Sequence, residues 1–350
     1  MEHDIEIIGP NLEIVLSGRH MFALRNLENG MLAPIRGYHD EPVKNLITDV
    51  GLNSCFARSF CASRNYLVLG TGTTAASTTD TTLATYYAVS TKKSLTENGV
   101  TVNAASKYVE DYATHTWANS TGSSKTISEV GMSWQSSSNP NVFSRVVLPS
   151  AITVPNGYEL IDKYILRKSV PAWRTVSTPS ITVNGISQSG RAMLVGHDTY
   201  ANDTTLIPNL DNGTYNSFAL FRTTGDIIEP DISYGLAVCE PCSISSNNNQ
   251  RASLFTSATA YASMTATDNF TQPTLYNYAA MTLGTYTAGS FTNTKHYSFL
   301  ASTLPGQSFY GFTIGNVYYC PHFIFRADAP FTKNPTSTYH IGLRTTLARA

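Results

Sequence analysis

Apolar and polar residues alternate along most of this chain, a period of two that puts successive side chains on opposite faces of a β-strand. In "NGYELIDKYILR", Tyr158, Leu160, Tyr164 and Leu166 share one face. Glu159, Lys163 and Arg167 share the other, with Ile161 and Ile165 among them. "STYHIGLRTT" repeats the design, with Tyr339, Ile341 and Leu343 opposite His340 and Arg344. Similar runs occur in "KTISEVGMSW", "FSRVVLP", "NSFALFRTT", "SYGLAVC", "KHYSFLAST", "YGFTIGNVYY" and "HFIFRADAP". Between runs lie "SSSNPN", "VPNG", "NLDNGT", "SSNNNQ" and "LPGQ", all turn chemistry. The pattern predicts an all-β fold of tandem β-sandwich-like domains with little helix. A helical turn or two is expected near "HMFALRNL". A second helix is expected within "DEPVKNLITDVGLNSCFARSF", where Val43, Leu46, Ile47, Val50 and Leu52 make a partial stripe.

Three segments are expected. Residues 1–43 read as an extended N-terminal arm in which "IEIIG" and "LEIVL" alternate with Gly and Pro breaks. Leu12, Ile14, Val15 and Leu16 would pair with a neighbouring subunit there, or form an edge strand of the chain's own first domain. A β-domain follows over 44–170, and a boundary is expected at "RKSVPAWRTVSTPS" before a second β-rich domain over 171–350. The two domains end alike, in "RVVLPSAITVPNGYELIDKYILR" and "FIFRADAPFTKNPTSTYHIGLR", so the second is read as a diverged duplicate of the first.

Composition sharpens this picture. Charged residues are 13% of 350, against a usual value of about 25%, while 20 Tyr and 15 Phe favour half-buried pleated surfaces. A net charge of -1 offers no global positive field for nucleic acid, and no apolar run is long enough for a membrane-spanning helix. The acidic start "MEHDIEIIGPNLEIVLSG" lacks a signal-peptide pattern, so synthesis in the cytoplasm is expected.

Candidate chemistry is thin. Gly70-Thr71-Gly72-Thr73-Thr74-Ala75 fits the dinucleotide pattern G-x-G-x-x-A, but the β-branched "ASTTDTTLATYYAVS" behind it has no helical stripe. Gly70, Gly72 and Asp80 are read instead as a structural turn, the glycines supplying backbone angles that a side chain would forbid. Cys239-Glu-Pro-Cys242 has half the spacing of a zinc knuckle with no second half. Gly185-Ile186-Ser187-Gln188-Ser189-Gly190 is one residue too long for a nucleophile elbow. His39-Asp40 and His197-Asp198 are sequence neighbours that a strand would point apart, and Asp226, Glu229 and Asp231 read as a solvated turn. No catalytic residue, metal or cofactor is expected.

One series of segments carries a family resemblance. "KNLITDVGLN", "YLVLGTGTTAASTTDTTL", "TISEVGMSW" and "FSRVVLPSAITVPNGYELIDKYIL", over about residues 44 to 167, resemble a module of tailed-bacteriophage virion proteins found in tail, neck and fibre-associated components. The resemblance implies a non-enzymatic structural subunit of a symmetric virion, a homo-oligomer that meets other tail, portal, neck/collar or fibre proteins. The alternative is a receptor- or carbohydrate-binding virion module, for which Trp117, Trp134 and Trp173 with the many tyrosines would stack on a host-surface glycan.

Overall fold

The computed structural model describes residues 3–8, 11–35, 41–57, 65–90, 92–103, 106–172, 175–194, 221–224, 227–230, 250–264, 276–283, 286–302, 304–316 and 321–350. The fold is all-β, of β-sandwich-like character. The first eleven strands are β1 (His3–Ile8), β2 (Leu12–Asn26), β3 (Leu32–Pro34), β4 (Val43–Ile47), β5 (Tyr66–Gly70), β6 (Tyr86–Val89), β7 (Lys92–Asn103), β8 (Tyr108–Asn119), β9 (Lys125–Ser133), β10 (Ser144–Val154) and β11 (Tyr158–Ser169). The others are β12 (Ser180–Val183), β13 (Ile186–Leu194), β14 (Phe221–Thr224), β15 (Ile227–Pro230), β16 (Gln250–Phe255), β17 (Tyr276–Leu283), β18 (Thr292–Phe299), β19 (Ser308–Asn316), β20 (Pro321–Thr332) and β21 (Ser337–Arg349). Among the described residues the single helix is α1, Asp49–Ala57.

The chain divides into two compact units. One comprises Met1–Ile14 and Val170–Thr346, and the other Val15–Ser169 and Leu347–Ala350. We call them the outer and inner units for their order along the chain, since the sequence of the inner one interrupts that of the outer. A change of unit thus falls at Ser169/Val170, but none falls at 43/44. The segment expected to be an arm is a strand of the chain's own sheet: β2 pairs with β11 in unbroken antiparallel register from Val15↔Ser169 to Asn26↔Tyr158. On its other side β2 meets β4 and β3. "HMFALRNL" therefore supplies strand rather than helix, because its alternation buries His20 and Phe22 while Met21 and Ala23 are less covered. The second helical expectation splits in two. Val43–Ile47 is strand, and helix begins only after Thr48, whose hydroxyl oxygen accepts the Gly51 amide at 2.9 Å as an N-cap.

In the inner unit, β6, β5, β9, β10 and β4 pair in that order, all antiparallel. A second row runs β7, β8, β11, β2. In the outer unit, β17, β16, β19, β20 and β13 make the first row. β17, β18, β21 and β1 make the second, with β1 parallel to β21.

The register repeats between units. Gly70, Glu129 and Val147 lie side by side across β5, β9 and β10. Phe255, Gly311 and Arg326 do so across β16, β19 and β20. In both, the outermost of the three strands then spends five residues where its partner spends two. Val147 to Ile152 faces Glu129 to Ile127, and Arg326 to Phe331 faces Gly311 to Phe309. Each bulge contains a proline, Pro149 or Pro330, a residue that sheets accept at bulges because it has no N–H to pair.

A polar network lies inside the inner unit. Asn45 Nδ2 donates to Ser144 Oγ at 2.7 Å and to the Tyr164 hydroxyl at 3.1 Å, tying β4 to β10 and β11. Gly18 has no side chain because a Cβ there would collide with Asn45 and Tyr164. His20 Nδ1 lies 3.0 Å from Asp162 Oδ2, both side chains fully buried. Burial raises the Asp162 carboxyl above the usual carboxylate range, and the charge and hydrogen bond of His20 offset this only in part.

Two outcomes follow. Removing residues 1–43 takes out β2 and should abolish cooperative thermal melting; a truncated chain that melts near the wild-type temperature would restore the separable arm. For Asp162, a carboxyl held high in the fold favours folding below its unfolded pKa of about 4 and loses that contribution as pH rises toward the folded value. Asn cannot ionise. The melting temperature of Asp162→Asn relative to wild type should therefore move in the variant's favour between pH 4 and pH 8; a constant difference over that range would contradict the raised pKa.

Candidate functional site

Segments from 66–85, 126–134 and 143–166 meet around one buried ion cluster. Glu129, on β9, is fully buried, and Arg145 on β10 is 2% exposed. A charge in such a place is retained only with a complete set of partners. Glu129 Oε1 accepts the amides of Gly72 at 3.0 Å and Thr85 at 2.7 Å, and Oε2 accepts that of Ala84 at 3.1 Å. Arg145 adds Nε at 2.9 Å and Nη2 at 2.8 Å to Oε2. Five donors therefore converge on one carboxylate. Arg145 also reaches Asp80 Oδ2 at 2.5 Å and the Thr74 carbonyl at 2.7 Å. Asp80 Oδ2 in turn accepts the Ser77 amide at 2.8 Å, which closes the turn.

The loop from Thr71 to Thr85 is thus fastened to the sheet by both backbone polarities, its amides on Glu129 and its carbonyls on Arg145. In the glycine-rich stretch the Gly72 amide is taken by Glu129 and the Thr71 amide by the Thr85 carbonyl, so neither is offered to a phosphate. Gly70 and Gly72 have a role other than the expected one. Neither adopts a positive φ. A Cβ on Gly70 would lie 2.6 Å from Glu129 Cγ, and one on Gly72 would strike Glu129 Oε1. These glycines make room for a buried carboxylate rather than allowing an unusual backbone. Asp80 forms the expected turn and also neutralises Arg145.

Neighbouring motif residues hold the rest of the frame. The Thr48 hydroxyl donates to the Val142 carbonyl at 2.7 Å, anchoring the start of α1. A Cβ on Gly51 would strike the backbone at Phe143. Arg349 Nε donates to the Ile47 carbonyl at 2.6 Å, and its Nη2 pairs with Asp49.

The other sequence candidates do not gather into a site. Of the proposed assembly contacts, Ile14 and Leu16 are each 1% exposed, which removes them from the reach of another subunit. Val15 is half-buried, and the side chain of Leu12 is outside the described ones. Ser187 and Ser189 lie along β13, which follows a two-residue turn at Asn184 and Gly185 with φ of 53° and 75°. That is the hairpin geometry of an Asn-Gly pair, not a nucleophile elbow. Trp117 meets Tyr87 edge to face at 5.6 Å. His39, Asp40, Trp173, His197, Asp198, Asp226, Asp231, Cys239 and Cys242 fall outside the described residues, and of Glu229 only the backbone of β15 is described. Comparison with protein-family models, with curated proteins and with solved structures finds no match.

Sequence reading passed over Glu129, Arg145, His20 and Asp162. A signal was present: Glu129 falls at period two from Ile127 and Arg145 at period two from Phe143 and Val147, and Asp162 shares its face with Leu160 and Tyr164.

Arg145→Met would leave Glu129 buried with its amide donors but no countercharge, and should cost about 3–5 kcal/mol in denaturant unfolding. Gly72→Ala should also destabilise. Because its effect acts through Glu129, the loss should be smaller in a Glu129→Ala background; additive losses in this double-mutant cycle would disprove the close approach.

Proposed function

We propose that this chain is a structural subunit of a tailed-phage virion, a tail, neck/collar or fibre-associated component that works by symmetric protein–protein assembly rather than by catalysis. Support for the phage assignment comes from the resemblance over about residues 44–167. In this chain its segments contribute to the Glu129–Arg145–Asp80 cluster and to the anchoring of α1. The mechanism is then geometric: a rigid β-frame positions contact surfaces, and many copies multiply weak contacts.

The observation that carries the assembly role is the β2–β3 turn. Leu27, Met31 and Leu32 are 48%, 68% and 62% exposed within six residues. The turn beneath them is fixed. Asn26 Oδ1 accepts the amides of Glu28 and Asn29, and the Asn26 amide donates to the Met31 carbonyl at 2.9 Å. A preorganised turn with three large apolar side chains loses little entropy when another chain covers it. The glycan-binding alternative gains no comparable observation, since Trp117 already packs on Tyr87.

In the assembled particle the contacts are between copies of this chain and between it and other virion proteins. Antibody labelling of purified particles should decorate a symmetric position, and the chain should be present in a fixed multiple of copies. Met31→Ser with Leu32→Ser should change folding stability by no more than about 0.5 kcal/mol yet reduce self-association and incorporation. A chain absent from particles, or a variant that assembles as well as wild type, would overturn the reading.

A further inference from the structure

The outer unit repeats the register of the inner unit but not its charges. In the inner unit the middle position of the row Gly70, Glu129, Val147 carries the carboxylate. In the outer unit that position is Gly311, and the flanking position is Phe255, whose ring occupies the space: a Cβ on Gly311 would lie 2.7 Å from Phe255 Cζ. Glycine and bulky residue have exchanged strands. The carboxylate has been lost in the exchange.

Two arginines clamp loop carbonyls in the outer unit. Arg326 donates to the carbonyls of Ala260 at 2.9 Å and Ala258 at 2.7 Å, and Arg191 donates to that of Ala262 at 2.6 Å. They fasten the segment after β16 to the sheet much as Arg145 fastens the loop after β5. Yet Arg191 and Arg326 are direct cross-strand partners on β13 and β20. Two like charges opposite each other in a sheet repel. Among the described residues neither has a carboxylate within 4 Å. Burial most of all, and the Arg191 charge after it, lower the Arg326 pKa, opposed by Tyr310, whose ring centroid lies 5.4 Å from the guanidinium carbon, and by Asp328. Both side chains are partly exposed, and their bonds to the loop carbonyls use Nη2 of Arg191 and Nη1 and Nη2 of Arg326.

We propose that Arg191 and Arg326 form a carboxylate-binding site, which a carboxylate from outside the chain completes as Glu129 and Asp80 complete Arg145. One carboxylate bridging the two guanidiniums would relieve their repulsion and use the donors left over from the loop carbonyls, the fork-to-fork geometry in which arginine is strongest. The inference rests on the outer unit alone and stands apart from the virion reading.

The carboxylate can come from a small free acid or from an acidic protein segment, and two probes separate these sources. Glutarate and a hexaglutamate peptide are titrated against the full-length chain at constant ionic strength, with binding read by calorimetry and by the shift in melting temperature. At least one should bind saturably, and Arg191→Gln should weaken it at least about tenfold. Binding of both indicates a small-acid site, and binding of hexaglutamate alone indicates an acidic segment. Arg326→Gln should act in the same direction; if it fails to fold, Arg191→Gln, which leaves both Arg326 clamps in place, decides. Failure of both probes to bind beyond a chloride control, retention of affinity in Arg191→Gln, or equally tight binding of sulfate would overturn the proposal.

Discussion

A carboxylate taken out of water must be given back its hydrogen bonds, and in the inner unit Glu129 obtains them from Arg145 and from the loop that follows β5. The amides of Gly72, Ala84 and Thr85 hold the ends of the Thr71–Thr85 excursion against β9, while Arg145 grips its Thr74 carbonyl and Asp80. Loop, turn and three strands are therefore one cooperative object. An ion pair of this kind is a poor source of net stability but a strong source of uniqueness, because any other register strands a buried charge. The two glycines, the buried acid, the arginine and the turn aspartate make sense only together.

The contrast between the units shows how one register accommodates two solutions. Where the inner unit uses glycine on β5 and glutamate on β9, the outer uses phenylalanine on β16 and glycine on β19. Phe255 stacks edge to face on Tyr261 at 5.3 Å, and Met264 joins a core with Met193 and Ile324. The segment after the first strand is held mainly by polar bonds in one unit and by apolar packing with arginine clamps in the other. The proline-bearing bulge, which depends on backbone pairing more than on side chains, is the same in both.

Much of the architecture was legible in the sequence, for a physical reason: strands buried on one face must alternate, and Tyr158–Arg167 and Tyr339–Arg344 do so plainly. The change of unit near residue 170 was legible as a break in that alternation. Residues 1–43 could be read either as an arm or as a strand of the chain's own first domain, because an apolar strand ahead of a familiar module looks unclaimed until its partner, β11, is known, and that partner lies over a hundred residues away in the sequence. The lock was half-legible. Gly70, Gly72 and Asp80 stand out in any reading of turns, but the acid they serve is on another strand, and glycine letters do not distinguish a backbone requirement from a steric one.

The pairing of β1 with β21 bears on how the chain comes to be folded. β1 lies along β21 with His3 opposite Ser337, and Ala350 donates its amide to the carbonyl of Leu16. Strand β1 thus leaves the ribosome long before the strand it pairs with. Closure of the outer unit has a very high contact order, which slows folding, whereas β4 to β11 find most of their partners within a shorter stretch. During synthesis β1 would remain a single unpaired strand while the inner unit condenses, a window in which a chaperone or a sister chain has access to an edge that the finished protein covers.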